Sequence, residues 1–100
     1  MNVTYCRSAA PSYHNIQNQI DICSEFLETK GVQVDAVYVD DGIPAYEKMG
    51  PEIQKIKSNI GDIDSITVTN PDRLCRNAMI LTKFLKYLEK NNVTLYFLQI

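Results

Sequence analysis

The chain has 100 residues, 45% of them hydrophobic and 22% charged, with a formal net charge of −2. That composition excludes disorder and supplies enough Ile, Leu, Val, Phe and Tyr for one modest core. An acidic balance also excludes a surface that grips duplex DNA all over, because such affinity comes from phosphate neutralisation. Any nucleic-acid role must rest on a local positive cluster or on another region.

In chain order, residues 1–6 (MNVTYC) form a short β-type run with Val, Thr and Tyr at its centre. Pro11-Ser12 then reads as a helix entry, and Ile16, Ile20, Cys23 and Leu27 recur at helical steps until Gly31 signals a stop. Residues 34–39 (VDAVYV) predict a second strand, closed by Asp40-Asp41-Gly42. Pro51 suits the first turn of a second helix, whose face carries Ile53, Ile56 and Ile60 and which Gly61 ends.

Residues 63–69 (IDSITVT) predict the third strand. After Asn70-Pro71-Asp72 a third helix follows, with Ile80, Leu81, Phe84, Leu85 and Leu88 on one side and Asn91-Asn92 at its end. Residues 93–100 (VTLYFLQI) predict the fourth strand. Strands alternating with helices imply right-handed βαβ units. The expected fold is α/β, a mostly parallel sheet of about four strands with helices on both faces. The chain ends on an apolar strand, which fits either a compact domain or a piece of a longer protein.

Cys6, Cys23 and Cys75 are dispersed and odd in number, and a single histidine, His14, cannot complete a zinc site. No bound metal or cofactor is expected. The thiols read as the reduced cysteines of a cytoplasmic protein, and no segment is long and apolar enough to predict a membrane anchor.

Ligands of open parallel sheets bind at the carboxyl ends of the strands. Arg7 and Ser8 follow the first strand, Asp40 and Asp41 the second, and Asp72, Arg73 and Arg76 the third. Converging guanidinium groups hold a phosphodiester through bidentate bonds and stabilise charge that grows on phosphorus. A neighbouring aspartate can orient an arginine or carry a proton. The competing reading makes Arg73 and Arg76 exposed charges at a helix start that Asp72 caps.

These residues also carry a family resemblance. Tyr5-Cys6-Arg7-Ser8 resembles the opening Tyr-x-Arg motif of serine site-specific recombinases of the resolvase/invertase class, and Gln19 resembles the glutamine of the following helix. Asp40-Asp41-Gly42 with Pro51 resembles the family's Asp-x-Gly-x-Ser-Gly stretch that ends in Arg-Pro. Asp72-Arg73-Leu74-Cys75-Arg76-Asn77 resembles its Asp-Arg-Leu-x-Arg-Asn signature. The resemblance implies the resolvase N-terminal catalytic-type fold over residues 1–100, with flavodoxin-like topology, as part of a longer protein. It implies DNA cleavage by a serine hydroxyl, a 5′-phosphoserine link, strand exchange within a tetramer and religation, without ATP or an essential metal. By matching position Arg7, Arg73 and Arg76 contact the scissile phosphate, and Asp72 supports them or assists proton transfer. DNA is gripped mainly through regions beyond these residues, and the full-length protein is a homodimer or tetramer.

Three positions depart from the pattern. Ala9 stands where the nucleophile is expected, leaving Ser8, or more weakly Ser12, as the substitute. Pro44-Ala45 replaces Ser-Gly, and Gly50 replaces an arginine. An unactivated hydroxyl is a poor nucleophile, so these changes point to lost or much reduced cleavage. The alternative is therefore an inactive module for oligomerisation or regulation. His14 as a base for Ser8, and Tyr13 or Tyr46 as stacking residues, are weaker possibilities than surface positions. A receiver-like or nucleotide-binding domain fits poorly, since the acidic pair follows the second strand and no Gly-rich phosphate loop exists.

Overall fold

Four short runs of β-branched and aromatic residues assemble into one sheet in the computed structural model, which describes residues 1–44 and 48–98. β1 (Asn2–Ser8), β2 (Ala36–Asp41), β3 (Ser65–Val68) and β4 (Thr94–Phe97) are all parallel, in the order β2-β1-β3-β4. The register sets Arg7 beside Asp40 and Ser8 beside Asp41. Between them run α1 (Tyr13–Thr29), α2 (Pro51–Ser58) and α3 (Ala78–Lys90), with 3₁₀ turns at Ile60–Asp62 and Pro71–Arg73.

Alternation along the strands divides the core. Val3 and Tyr5 of β1 with Ile66 and Val68 of β3 pack against Ile53 and Ile56 of α2 and Phe84 and Leu88 of α3. The intervening residues face α1, which buries Ile16, Gln19, Cys23 and Leu27 and sets Phe26 edge-on to Tyr96, 5.7 Å between centroids. Helices cover both faces, as the sequence pattern predicts.

The chain leaves β1 toward β2, then steps back across β1 to reach β3, so connections diverge on either side of the β1–β3 pair. That divergence opens a crevice at the carboxyl ends of these two strands. Among the described residues no helix is long and apolar enough to cross a membrane.

Element boundaries differ from the sequence pattern in several places. β2 is shifted to Ala36–Asp41, so Asp40 and Asp41 close the strand rather than follow it, and β3 is trimmed to Ser65–Val68. β1 runs two residues further, so Arg7 and Ser8 belong to the strand rather than following it. α2 stops at Ser58, and Ile60 sits in the 3₁₀ turn. The third helix begins only at Ala78, capped by Asn77, whose Oδ1 accepts from the main-chain N–H groups of Met79 (3.0 Å) and Ile80 (3.1 Å). Asp72 is therefore not its cap. Pro71 and Asp72 open a separate 3₁₀ turn, and Leu74 and Cys75 are buried before the helix starts. Ala45, Tyr46 and the last two residues of the expected fourth strand lie outside the described residues.

Candidate phosphate-binding site

The site begins where β1 outruns β3. Their pairing is confined to Asn2, Val3 and Thr4 of β1, so the main chain at Arg7 has no β3 neighbour. Gln19 of α1 takes that place. Its Oε1 accepts from the Arg7 N–H (3.2 Å) and its Nε2 donates to the Arg7 carbonyl (2.9 Å) and to Asn15 Oδ1 (2.6 Å).

Arg7 is 3% exposed. Its Nε donates to the Arg73 carbonyl (3.0 Å), Nη1 to the Ile43 carbonyl (3.0 Å) and Nη2 to the Asp72 carbonyl (2.7 Å). Arg73 replies through Nη1, which donates to the Arg7 carbonyl at 2.9 Å. The two arginines thus tie the end of β1 to the 3₁₀ turn after β3 and to the loop after β2. Neither has a carboxylate within ion-pair distance among the described residues.

Burial, then the adjoining Arg7 charge, pulls the Arg73 guanidinium below its ordinary pKa. Arg76 pushes the same way, while Asp72 opposes it. Arg7 and Arg76 therefore both act electrostatically on Arg73. Arg73 Nε is buried without a hydrogen-bond partner, as are Thr69 Oγ1 and Asn70 Oδ1.

Ser8 is the last residue of β1 and 6% exposed. Its carbonyl accepts from Gly42 and Ile43 (2.8 and 3.0 Å), and its Oγ donates to the Ala10 carbonyl at 2.5 Å. The chain bends at Ala9 and Ala10, both exposed. Ser12 caps α1, its Oγ accepting from Asn15 N–H at 3.3 Å, and its own N–H donates to Asp41 Oδ1 at 2.9 Å.

The aspartates part company. Asp40 turns to the α2 side of the sheet, where Oδ2 accepts from the Tyr5 hydroxyl (2.7 Å) and both oxygens approach the Glu52 N–H (3.2 and 3.3 Å) in the first turn of α2. A Cβ on Gly50 would stand 2.1 Å from Asp40 Oδ2. With the carboxylate seated there, position 50 admits no arginine. Asp72 stays by the cluster, exposed, its carbonyl held by Arg7.

Beside Arg73 the crevice measures about 470 Å³ and is walled by the amino-terminal half of α1 and the segment after β3. His14, exposed and edge-on to Tyr13 (5.9 Å between centroids), stands at this crevice. Of the crevice's polar lining, His14, Asn15 and Asn18 lie off the apolar stripe of Ile16, Ile20, Cys23 and Leu27, so helical periodicity carries no sign of it. Among the described residues no group of three or more His, Cys, Asp or Glu gathers as a metal-ligand set.

Sheet order and helix placement are those of a resolvase-type domain, and comparison with known proteins agrees. Residues 2–100 match the family model of the resolvase N-terminal domain, and the chain belongs to that family. The fold is that of serine recombinase catalytic domains. The N-terminal catalytic domain of TP901-1 integrase is similar at 25% identity and a TM-score of 0.88, over 96% of this chain and 76% of that one. The C-terminal catalytic domain of ISC1926 TnpA, an IS607-like serine recombinase, shares 18% identity with a TM-score of 0.85, over 97% of this chain and 66% of that one. The first open reading frame of transposon ISC1904 from Sulfolobus solfataricus P2 shares 17% identity with a TM-score of 0.77, over 98% and 66%. No curated protein matches the chain.

Proposed function

We propose that this domain serves site-specific DNA recombination by holding a scissile phosphodiester at the Arg7–Arg73–Arg76 cluster. One observation carries the reading: two adjoining guanidinium groups, one of them buried, have no carboxylate within ion-pair distance among the described residues. Buried positive charge without a counter-ion is costly, and a phosphate anion relieves it. Arg73 and Arg76 meet the phosphate oxygens. Arg7 stands behind them, buried and fixed to the carbonyls of Arg73, Ile43 and Asp72.

In the cleavage step the Ser8 hydroxyl attacks phosphorus, a serine–phosphorus ester forms and the deoxyribose 3′ oxygen leaves. The serine proton is given up and one is taken by the leaving oxygen, with the Asp72 carboxylate beside the cluster as carrier. Rejoining reverses these bonds, so no ATP is consumed. The full-length protein acts as a homodimer or tetramer in the cytoplasm and grips DNA mainly through regions outside these residues.

A second reading is an inactive module for oligomerisation or regulation. It is favoured by Ala9 at the nucleophile position and by the buried Ser8 hydroxyl bound to the Ala10 carbonyl. The two separate in one experiment. Full-length protein is incubated with nicked cognate-site DNA and resolved on denaturing gels. A covalent adduct lost in Ser8→Ala supports Ser8 as nucleophile, and one lost only in Ser12→Ala transfers the role. Absence of any adduct supports the inactive module.

A further inference from the structure

The crevice beside Arg73 is larger than a phosphate needs, and its lining is of the wrong kind for phosphate alone. We infer that it holds a nucleobase, that of the nucleotide adjoining the phosphate at Arg73, turned out of the helical stack. The inference rests on the phosphate reading for its anchor and adds the chemistry of the neighbouring group.

Three observations carry it. The first is size: about 470 Å³ falls in the range of small-molecule pockets and exceeds what a phosphodiester group fills. The second is hydrogen-bonding character. Phosphate oxygens only accept, so they serve Arg73 Nε yet offer nothing to Asn70 Oδ1, an acceptor buried without a donor. Thr69 is 4% exposed and its Oγ1 also lacks a partner. Asn18 adds an exposed carboxamide to the same lining. A base edge presents N–H donors and ring or carbonyl acceptors together, and carboxamides pair with such edges bidentately.

The third observation is the arrangement. Ile22 gives the crevice an apolar wall and His14 an aromatic ring at its side, surfaces against which a base face packs. Asn18, Ile22 and His14 come from α1, Thr69 and Asn70 from the segment just after β3, and Arg73 closes one end. A nucleotide lying in the crevice therefore places its phosphate on the guanidinium and its base among the amides. Leaving the stack costs energy, least for a base already unpaired, so the site favours single-stranded or strand-broken DNA over intact duplex.

The test uses the 100-residue chain, titrated with deoxyadenosine 5′-monophosphate, deoxyadenosine and inorganic phosphate while amide shifts are followed by ¹H–¹⁵N NMR. The mononucleotide is expected to bind about ten-fold more tightly than phosphate, the low end of what one bidentate amide–base pair supplies. Shifts should centre on Asn18, Ile22 and Asn70. Asn18→Leu and Asn70→Ala should each erase the preference while phosphate affinity stays, the same spectra reporting that the fold persists. Equal affinities for mononucleotide and phosphate, both lowered in Arg73→Ala, would overturn the base site and leave the phosphate reading standing. Phosphate binding indifferent to Arg73→Ala would remove the phosphate reading instead. The base site would then still show as deoxyadenosine binding that Asn18→Leu abolishes. No binding of mononucleotide or nucleoside overturns the inference.

Discussion

At the scale of single residues, Arg7 spends three guanidinium donors on the carbonyls of Arg73, Ile43 and Asp72. A lysine carries one compact ammonium and cannot span three carbonyls from two separate segments. These part-buried acceptors cost less when left bare than fully buried ones, so Arg7→Lys should lose about 1–3 kcal/mol in urea unfolding. An unchanged urea midpoint would show that these bonds do not hold the loops. Gly50 makes a second case. Gly50→Ala drives a methyl toward an Asp40 carboxylate that Tyr5 and the start of α2 hold in place. A loss of about 1–3 kcal/mol is expected. If the cause is the clash with Asp40, the double variant with Asp40→Ala should lose less than the sum of the two single changes.

Elements were largely legible from periodicity, and the failures have local causes. The stripe Ile16, Cys23 and Leu27 faces the sheet as its spacing requires, yet Gln19 shares that face because β1 lacks a strand partner there. Sequence spacing carries no sign of that vacancy. Sequence alone starts α3 too early because Pro71 and Asp72 are ordinary helix-opening residues. Here they open a 3₁₀ turn, and burial of Leu74 and Cys75 carries the chain on to Asn77. Strand ends place Arg7 and Arg73 at one edge of the sheet but leave open whether they meet or stand exposed; the carbonyl bonds between them are visible only in the structure. The direction of each aspartate could not be read either, since it follows from a register in which one residue of slip reverses the face. Asn77→Ala removes an acceptor from two N–H groups and should cost about 1 kcal/mol. Asp72→Ala should leave stability almost unchanged if Asn77 alone caps the helix. Paired thermal melts decide between the two caps.

For the molecule as a whole, the two faces of the sheet share an alkaline limit. On the α1 face, burial pushes the Cys6 thiol up to about 12, with the nearby Cys23 adding to the rise, and burial pushes Cys23 up to about 11. On the α2–α3 face, burial and then the hydrogen bond to Asp40 raise the Tyr5 phenol above its ordinary value. All three groups are held protonated in the folded chain. An acid with a raised folded pKa contributes stability in full below its unfolded value and loses it as pH climbs through the folded one. For the thiols that window opens near the unperturbed value of 9.0 and runs to about 11–12. The urea midpoint should therefore show no thiol contribution to its pH dependence between pH 7 and 8 and fall progressively above pH 9. Cys6→Ala should flatten the fall while lowering the plateau, because it removes a titrating group along with a packed one. An aromatic disulfide reagent at pH 8 should label Cys6 and Cys23 only at the rate of unfolding, since the thiolate is the reactive form and both groups are buried. Rapid labelling of the folded chain, or a midpoint level to pH 11, would contradict protonated thiols sealed beneath α1.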